Sequence, residues 1–339
     1  MSPARFAEIT ARYPLLHLGL LGDYCLDRYL EIDPGRTETS IETGLPVHNV
    51  VRVRSQPGGA GTILNNLVAL GIGRIDAIGF YGDDGEGYEL RRALGRMPHV
   101  RLDHFRPTSE RRTFTYCKPL VLHPNRPPEE LSRLDSKNWD PTPQALEDQL
   151  IGSLQVVASS AHAVITLEQV DQPDTGVVTR RVRDTLAHLA SHRPDLLILA
   201  DSRRGLTDWP SVGFKMNAPE LAALLHQSSP PALPDILEQA RQLARARQRP
   251  VIVTLAERGA VGALAEGDPV HIPALPILGP IDVVGAGDAV TANVTAALAS
   301  GASLREALEL AMAAAHIVVH QLGTTGTATV AQLRDTLAP

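Results

Sequence analysis

The sequence predicts an α/β fold: a doubly wound, mostly parallel sheet flanked by helices, with a small β lid beside it. Three observations predict this. Short, nearly uninterrupted apolar runs recur along the chain, helical patterns separate them, and two stretches of alternating character break the rhythm. The first run, Leu15–Leu21, ends at Gly22-Asp23. A strand covered by helices on both faces has no solvent side, so it reads as a continuous hydrophobic run. Equivalent runs follow at Ile75–Phe80, Ala163–Leu167, Leu196–Ala200 and Val251–Leu255. Helical spacing fills the gaps at Gly61–Leu70, Gly87–Met97, Val177–Ser191 and Ile236–Arg247. Such alternation builds βαβ units with right-handed crossovers. Pro46–Arg54 and Arg112–Leu122 instead mix β-branched and polar residues, the pattern of half-exposed strands. They are expected in a lid made from about residues 35–56 and 100–123, within one domain spanning 1–339. His123–Pro143, rich in proline and charge, reads as loop. After Asp282–Asp288 come helix Ala289–Ser300, closed by Gly301, and helix Leu304–Gln321, closed near Gly323.

Composition excludes several classes of function. Among 339 residues the formal charge is −6, and no Lys/Arg run is long enough to track a nucleic-acid backbone. Cys25 and Cys117 are far apart and lack zinc-ligand spacing, which fits a reducing compartment. The first residues carry no apolar core of a signal peptide, and Ala311–Val319 is too short to span a bilayer. A cytoplasmic protein without nucleic-acid or membrane partners is expected. The twelve histidines show no metal spacing; His316 and His320, four apart, share a helix face.

The chemistry concentrates at Gly285-Ala286-Gly287-Asp288. Glycines before a helix leave backbone N–H groups unpaired, and the helix dipole adds positive potential there. An anion can approach the bare backbone of Gly285 and Gly287, as a phosphoryl group in transfer requires. Asp288, in the first turn, can accept the proton of an attacking hydroxyl. Four residues alone are equally an ordinary turn with a favourably placed Asp. Gln56-Pro57-Gly58-Gly59-Ala60-Gly61 forms a second glycine-rich entry to a helix, but it lacks the GxGxxG spacing of a dinucleotide fingerprint. Backbone approach to a sugar or its phosphate fits it better.

In order along the chain, Gly22–Asp27, Gly58–Gly71, Asn217–Glu220, Val253–Gly259 and Asp282–Asp288 resemble the ribokinase-like (PfkB) carbohydrate kinases, from about residue 14 to 335. Gly22–Tyr29, Ser40-Ile41-Glu42, Pro46-Val47, Arg133-Leu134-Asp135 and Gln321–Thr324 are similar to the heptose 7-phosphate kinases of that family. The resemblance implies a ribokinase-like fold and transfer from Mg-ATP to a sugar or sugar-phosphate hydroxyl, with an anomeric hydroxyl in the heptose branch. Catalysis would rest on Asp288 with Gly285, Ala286 and Gly287. Asp27, at the end of the first strand, Gly58, Gly59 and Thr62 would bind sugar, and Arg112 and Lys118, with Arg111 and Arg133 nearby, its phosphate. Asn217, Thr254, Glu257, Gly259 and Asp282 would meet the nucleotide. Asn217 and Glu220 would bind Mg²⁺ through water, and the Asp282 loop a monovalent cation such as K⁺. A homodimer through the lid is also implied. Some members carry a nucleotidyltransferase domain; none of its HxGH-like motif occurs here, so the kinase half alone is expected.

Several of these residues have structural readings too. Asn217 and Glu220 fit a capping pair and Glu257-Arg258 a strand-to-strand turn; Asp201-Ser202-Arg203 ends a strand where open α/β sheets place ligands, and reads as an exposed turn as well. The chain also departs from the family at Thr62 (usually Asn), Ala256 (usually Gly) and Val283 (usually Thr), and Glu168–Asp171 lacks the Asp-Tyr of heptose kinases. Those departures keep two alternatives open: a nucleoside or other small-molecule kinase, and a binding protein with weakened turnover.

Overall fold

The computed structural model of the chain describes residues 1–338. Its main sheet has ten strands. From one edge their order is Val270–Ile272, Ala260–Ala263, Val251–Thr254, Gly213–Asn217, Leu197–Ser202, Ala163–Glu168, His17–Gly22, Arg74–Gly82 and Val100–Arg101. Phe105–Thr108 also pairs with Arg74–Gly82. Only the two strands at the 260–272 edge run antiparallel to their neighbours. The α/β class and all five apolar runs are therefore as the sequence predicts.

The apolar runs work because both faces are covered. Leu18 and Leu20 pack with Ile63, Leu64 and Leu67 of helix Ala60–Ala69 and with the alanines of helix Ala286–Ala299. Leu21 faces the other way, toward Leu150, Leu154 and Val157 of helix Gln144–Ala158. Ala289, Ala292 and Ala296 are small enough for helix Ala286–Ala299 to settle closely against its neighbours, the last of them Leu304–Val319. Among the described residues no helix is long and apolar enough to cross a membrane.

The second sheet has five strands: Glu129–Glu130, Phe114–Val121, Tyr24–Ile32 and Val50–Gly59 in order, with Leu134–Ser136 also on Phe114–Val121. Three expectations need correction. Residues 100–108 belong to the main sheet, because Val100–Arg101 and Phe105–Thr108 extend the edge formed by Arg74–Gly82. Asp27, expected at the end of the first strand, lies instead in Tyr24–Ile32, the centre of the lid, which leaves the main sheet after a single residue, Asp23. The stretch 123–143 is not all loop, since Glu129–Glu130 and Leu134–Ser136 complete the lid edge.

Charge and hydrogen bonds fix the lid to the body. The Arg28 guanidinium donates to Glu86 at 3.0 Å and Glu89 at 3.1 Å on helix Gly85–Leu94, and the Ser55 hydroxyl donates to Glu89 at 2.7 Å. Asp84, the cap of that helix, accepts from the Thr113 N–H at 2.9 Å and its hydroxyl at 2.7 Å.

Candidate active site

Helix Ala286–Ala299 starts at Gly285, whose φ of 84° is a left-handed conformation that glycine adopts without strain. The N–H groups of Gly285, Gly287 and Asp288 have no acceptor among the described residues. They form a cluster of donors on the positive end of the helix dipole. Lys215 lies against it from strand Gly213–Asn217. Its Nζ is 3.0 Å from where a Cβ on Gly287 would stand, so any side chain there would meet the ammonium. Lys215 is buried and donates to Asp201 Oδ2 at 2.8 Å; the Thr291 hydroxyl donates to the same oxygen at 3.3 Å. Burial opposes its charge, but Asp201, with Asp288 and Glu220 nearby, outweighs this and raises its pKa.

Asp288 is half-buried beside this lysine. Burial pushes its carboxyl up to about 7; Lys215 pulls it down, while Asp201 and Asp27 push it further up. A carboxyl poised there exchanges protons near neutral pH.

Asp27, on lid strand Tyr24–Ile32, is near enough to act on the Asp288 carboxyl. Burial raises its pKa, partly offset by Lys118 and Arg133. Gly58, opposite Cys25 on the neighbouring strand, is required sterically: a Cβ would fall 2.7 Å from Asp27 Oδ2 and 2.9 Å from Cys25 Sγ. Gly59 has a φ of 57° and a Cβ there would strike the Asp23 carbonyl. Asp23 itself is buried and accepts from the Gln169 and Val177 N–H groups, each at 2.7 Å. It joins the hinge to the segment after strand Ala163–Glu168. Lys118 Nζ is 5.0 Å from the centre of the Tyr29 ring, and Arg133 is 5.1 Å from that of Tyr116.

A cavity of about 850 Å³ opens on the other side of the donor cluster. Ala286 and Gly287 form its floor edge, Asn217, Thr254, Glu257 and Gly259 one wall, and Leu275, Pro276, Ile277 and Met312 an apolar side. Ala256 lines it with a φ of 53°, the left-handed region where a glycine would be unstrained. Val283 lines it too and is 68% exposed, so its methyls face the opening where a threonine hydroxyl would otherwise stand.

Not every predicted residue sits where the sequence put it. Asp282 does not line the cavity. Its carboxylate accepts from Val284 N–H at 3.0 Å and Gly323 N–H at 3.3 Å, tying the loop before the helix to the turn after the next helix. Glu220 and Asn217 form a reciprocal capping box, Asn217 N–H donating to Glu220 at 2.7 Å and Glu220 N–H to Asn217 at 2.8 Å. Glu220 is half-buried, with a pKa raised mainly by burial, and only one of its oxygens is engaged by the cap. Thr62 is buried behind the motif, its methyl 3.5 Å from the Cβ position of Gly285. Arg112 is exposed and its backbone pairs with the Asn138 side chain, whereas Arg111 is buried and donates to the Pro141 carbonyl.

Sequence reasoning missed Lys215, although a lone lysine inside the apolar run Gly213–Met216 was a visible signal. It also missed Gln56, whose amide donates to Thr325 Oγ1 at 3.2 Å and accepts from Thr324 Oγ1 at 3.4 Å. That side chain bridges a lid strand to a loop whose Thr325 lies against Gly285.

The family model for pfkB family carbohydrate kinases matches residues 25–330. Among curated relatives, the bifunctional protein HldE of Hyphomonas neptunium is 32% identical over 313 residues, covering 91% of this chain and 60% of that protein. HldE of a Bradyrhizobium species is 29% identical over 331 residues, covering 94% and 63%. The chain thus spans about three fifths of the length of these relatives. Among solved structures, Arabidopsis thaliana ribokinase complexed with ribose and ATP superposes with a TM-score of 0.69 at 18% identity, covering 96% of this chain and 99% of that one. Escherichia coli phosphofructokinase-2 gives 0.69 at 18% identity, covering 95% and 98%.

Proposed function

The chain belongs to the pfkB family of ATP-dependent carbohydrate kinases, and from that premise we propose that it transfers the γ-phosphoryl group of ATP to a sugar-phosphate hydroxyl deprotonated by Asp288. The observation that carries this reading is the convergence of an open N–H cluster, a buried lysine and a carboxyl with a pKa of about 7 at the edge of a large cavity. The nucleotide occupies the cavity beside Ala286 and Gly287, and its phosphates point at the donors. The acceptor lies under the lid, oriented by Asp27 and the close-packed Gly58-Gly59 turn. Lys215 supplies positive charge at Gly287, where charge develops in transfer. Lys118 and Arg133, both acting on Asp27, favour an acceptor that is itself anionic. Heptose 7-phosphate, taken at its anomeric hydroxyl, is the specific substrate we propose, in keeping with the HldE relatives.

Magnesium fits this acid set as a phosphate-bound ion. Among the described residues no group of three acidic, His or Cys side chains could hold a metal on its own, and one oxygen of Glu220 remains open toward Lys215 and Asp201. Asn217 and Glu220 would hold it through water, and it would neutralise phosphate charge. A monovalent cation would act on the 282–285 loop, which Asp282 already bridges to Gly323. A second copy of the chain pairs through the lid in this reading: edge strand Val50–Gly59 exposes Val50, Val51 and Val53, and Ile41 and Leu45 are exposed as well.

ATP consumption measured against sugars, sugar phosphates and nucleosides tests the proposal, with Asp288→Asn as the control. Turnover on heptose 7-phosphate alone supports the named substrate, and turnover on nucleosides replaces it. A wild-type rate no higher than that of the variant on every acceptor refutes the kinase reading.

A further inference from the structure

His316 and His320 occupy successive turns of helix Leu304–Val319 and the residue after it, their ring centroids 4.6 Å apart. Their roles differ because their nitrogens do. His320 Nδ1 lies 2.7 Å from the His316 carbonyl, and its Nε2 lies 3.0 Å from the Leu278 N–H. A carbonyl only accepts and a backbone N–H only donates. His320 therefore carries its proton on Nδ1 and has no nitrogen left for a ligand. It pins the 274–281 wall of the nucleotide cavity to the helix.

His316 is the reverse case. It lines the cavity, is half-buried, and neither ring nitrogen has a partner among the described residues. Burial above all lowers its pKa, which favours the neutral ring with one donor and one acceptor. The other polar side chains of the cavity, Asn217, Thr254, Glu257 and Arg258, all come from the strand ends and the corner after Thr254. On the wall formed by Leu275, Pro276, Ile277 and Met312, His316 is the sole polar side chain. An aromatic base needs apolar faces around it and a partner for its polar edge.

We propose that His316 is the residue that takes the nucleobase, through stacking and one hydrogen bond, held in place by His320. The inference rests on the nucleotide reading of the cavity and adds the side chain that distinguishes a nucleotide from a bare polyphosphate. Calorimetric binding of ADP and of inorganic pyrophosphate, each with Mg²⁺, separates the two, since pyrophosphate can occupy the donor cluster but has no base. His316→Leu, which keeps volume and loses the ring and its nitrogens, is expected to weaken ADP about tenfold. Pyrophosphate affinity should stay within about twofold, and the loss should appear in KM for ATP rather than in kcat. His316→Gln, which restores a hydrogen-bonding arm, should recover part of the loss, a rescue that a purely structural role would not give. Equal weakening of both ligands in His316→Leu, or unchanged ADP binding in both variants, overturns the inference while leaving the nucleotide cavity in place. A wild type that binds pyrophosphate but not ADP overturns the nucleotide reading itself.

Discussion

Asp288→Asn, read against pH, tests the centre of the site in two independent ways. An Asp ordinarily titrates near 3.8; burial, with Asp201 and Asp27 nearby, pushes Asp288 to about 7 despite Lys215. A general base works only when unprotonated. Activity should therefore fall as pH drops below about 7, by about tenfold per pH unit on a single-proton limb. Loss of the base should lower kcat by about 10²–10⁴-fold. The same shift has a consequence for stability with the opposite sign. A carboxyl whose folded pKa is raised binds more protons when folded than when unfolded between 3.8 and about 7, so its contribution falls as pH rises through that window. The full shift corresponds to roughly 4 kcal/mol, which solvent at a half-buried group reduces to about 1–2 kcal/mol. At pH 8 the Asn variant should thus be inactive yet more stable, by about 2 °C in Tm for a chain of this size. The assays are ADP release between pH 5.5 and 9 at constant ionic strength, and calorimetric melting at pH 4 and pH 8. An activity limb centred near pH 4, or an Asn variant less stable at pH 8 than wild type, would refute the reasoning.

Lys215→Met should lower kcat by about 10²–10³-fold through lost charge at the donor cluster, and it should destabilise by about 3 kcal/mol because Asp201 is left buried without its partner; stopped-flow turnover and urea unfolding read the two separately. Gly58→Ala forces a methyl against Asp27 and Cys25 and should cost about 1–3 kcal/mol of stability with a raised sugar KM. Ala256→Gly relieves a left-handed backbone and should stabilise by about 1 kcal/mol, seen as a small rise in melting temperature. Val53→Asp places a charge on the exposed lid edge; in the proposed pairing, sedimentation should give a dimer for the wild type and a monomer for the variant.

The parts of the fold that could be read from the sequence were those held by apolar burial alone. Leu18, Leu20 and Leu21 meet helices on both sides, so the strand announces itself in a few letters. Tyr24–Ile32 did not, because Asp27, Arg28 and Glu31 interrupt it. Arg28 pairs with Glu86 and Glu89 on a helix far along the chain, and Glu31 with Arg54 across the lid at 2.5 Å. Such partners are invisible to local periodicity. Leu134–Ser136 was hidden for a similar reason, being a strand only through its pairing with Thr115–Cys117. In the candidate site, the turn Gly285–Asp288 was legible because glycine encodes its backbone geometry. Lys215 was not, as its significance depends on Asp201 and Gly287, 14 and 72 residues away in sequence. The bonds of Asp282 to Val284 and Gly323 were not legible, because a short motif fixes the backbone path but not what each carboxylate will bond.

The Gln56 side chain has a consequence for timing. One end of it belongs to a strand that covers the acceptor; the other grips Thr324 and Thr325, and Thr325 abuts the glycine that opens the donor cluster. The lid strand and the loop beside Gly285 are thus joined through one amide and two hydroxyls. Water is the acceptor a phosphotransferase must refuse, and in the proposed reaction this joint would be the route by which the position of the lid strand reaches the donor cluster.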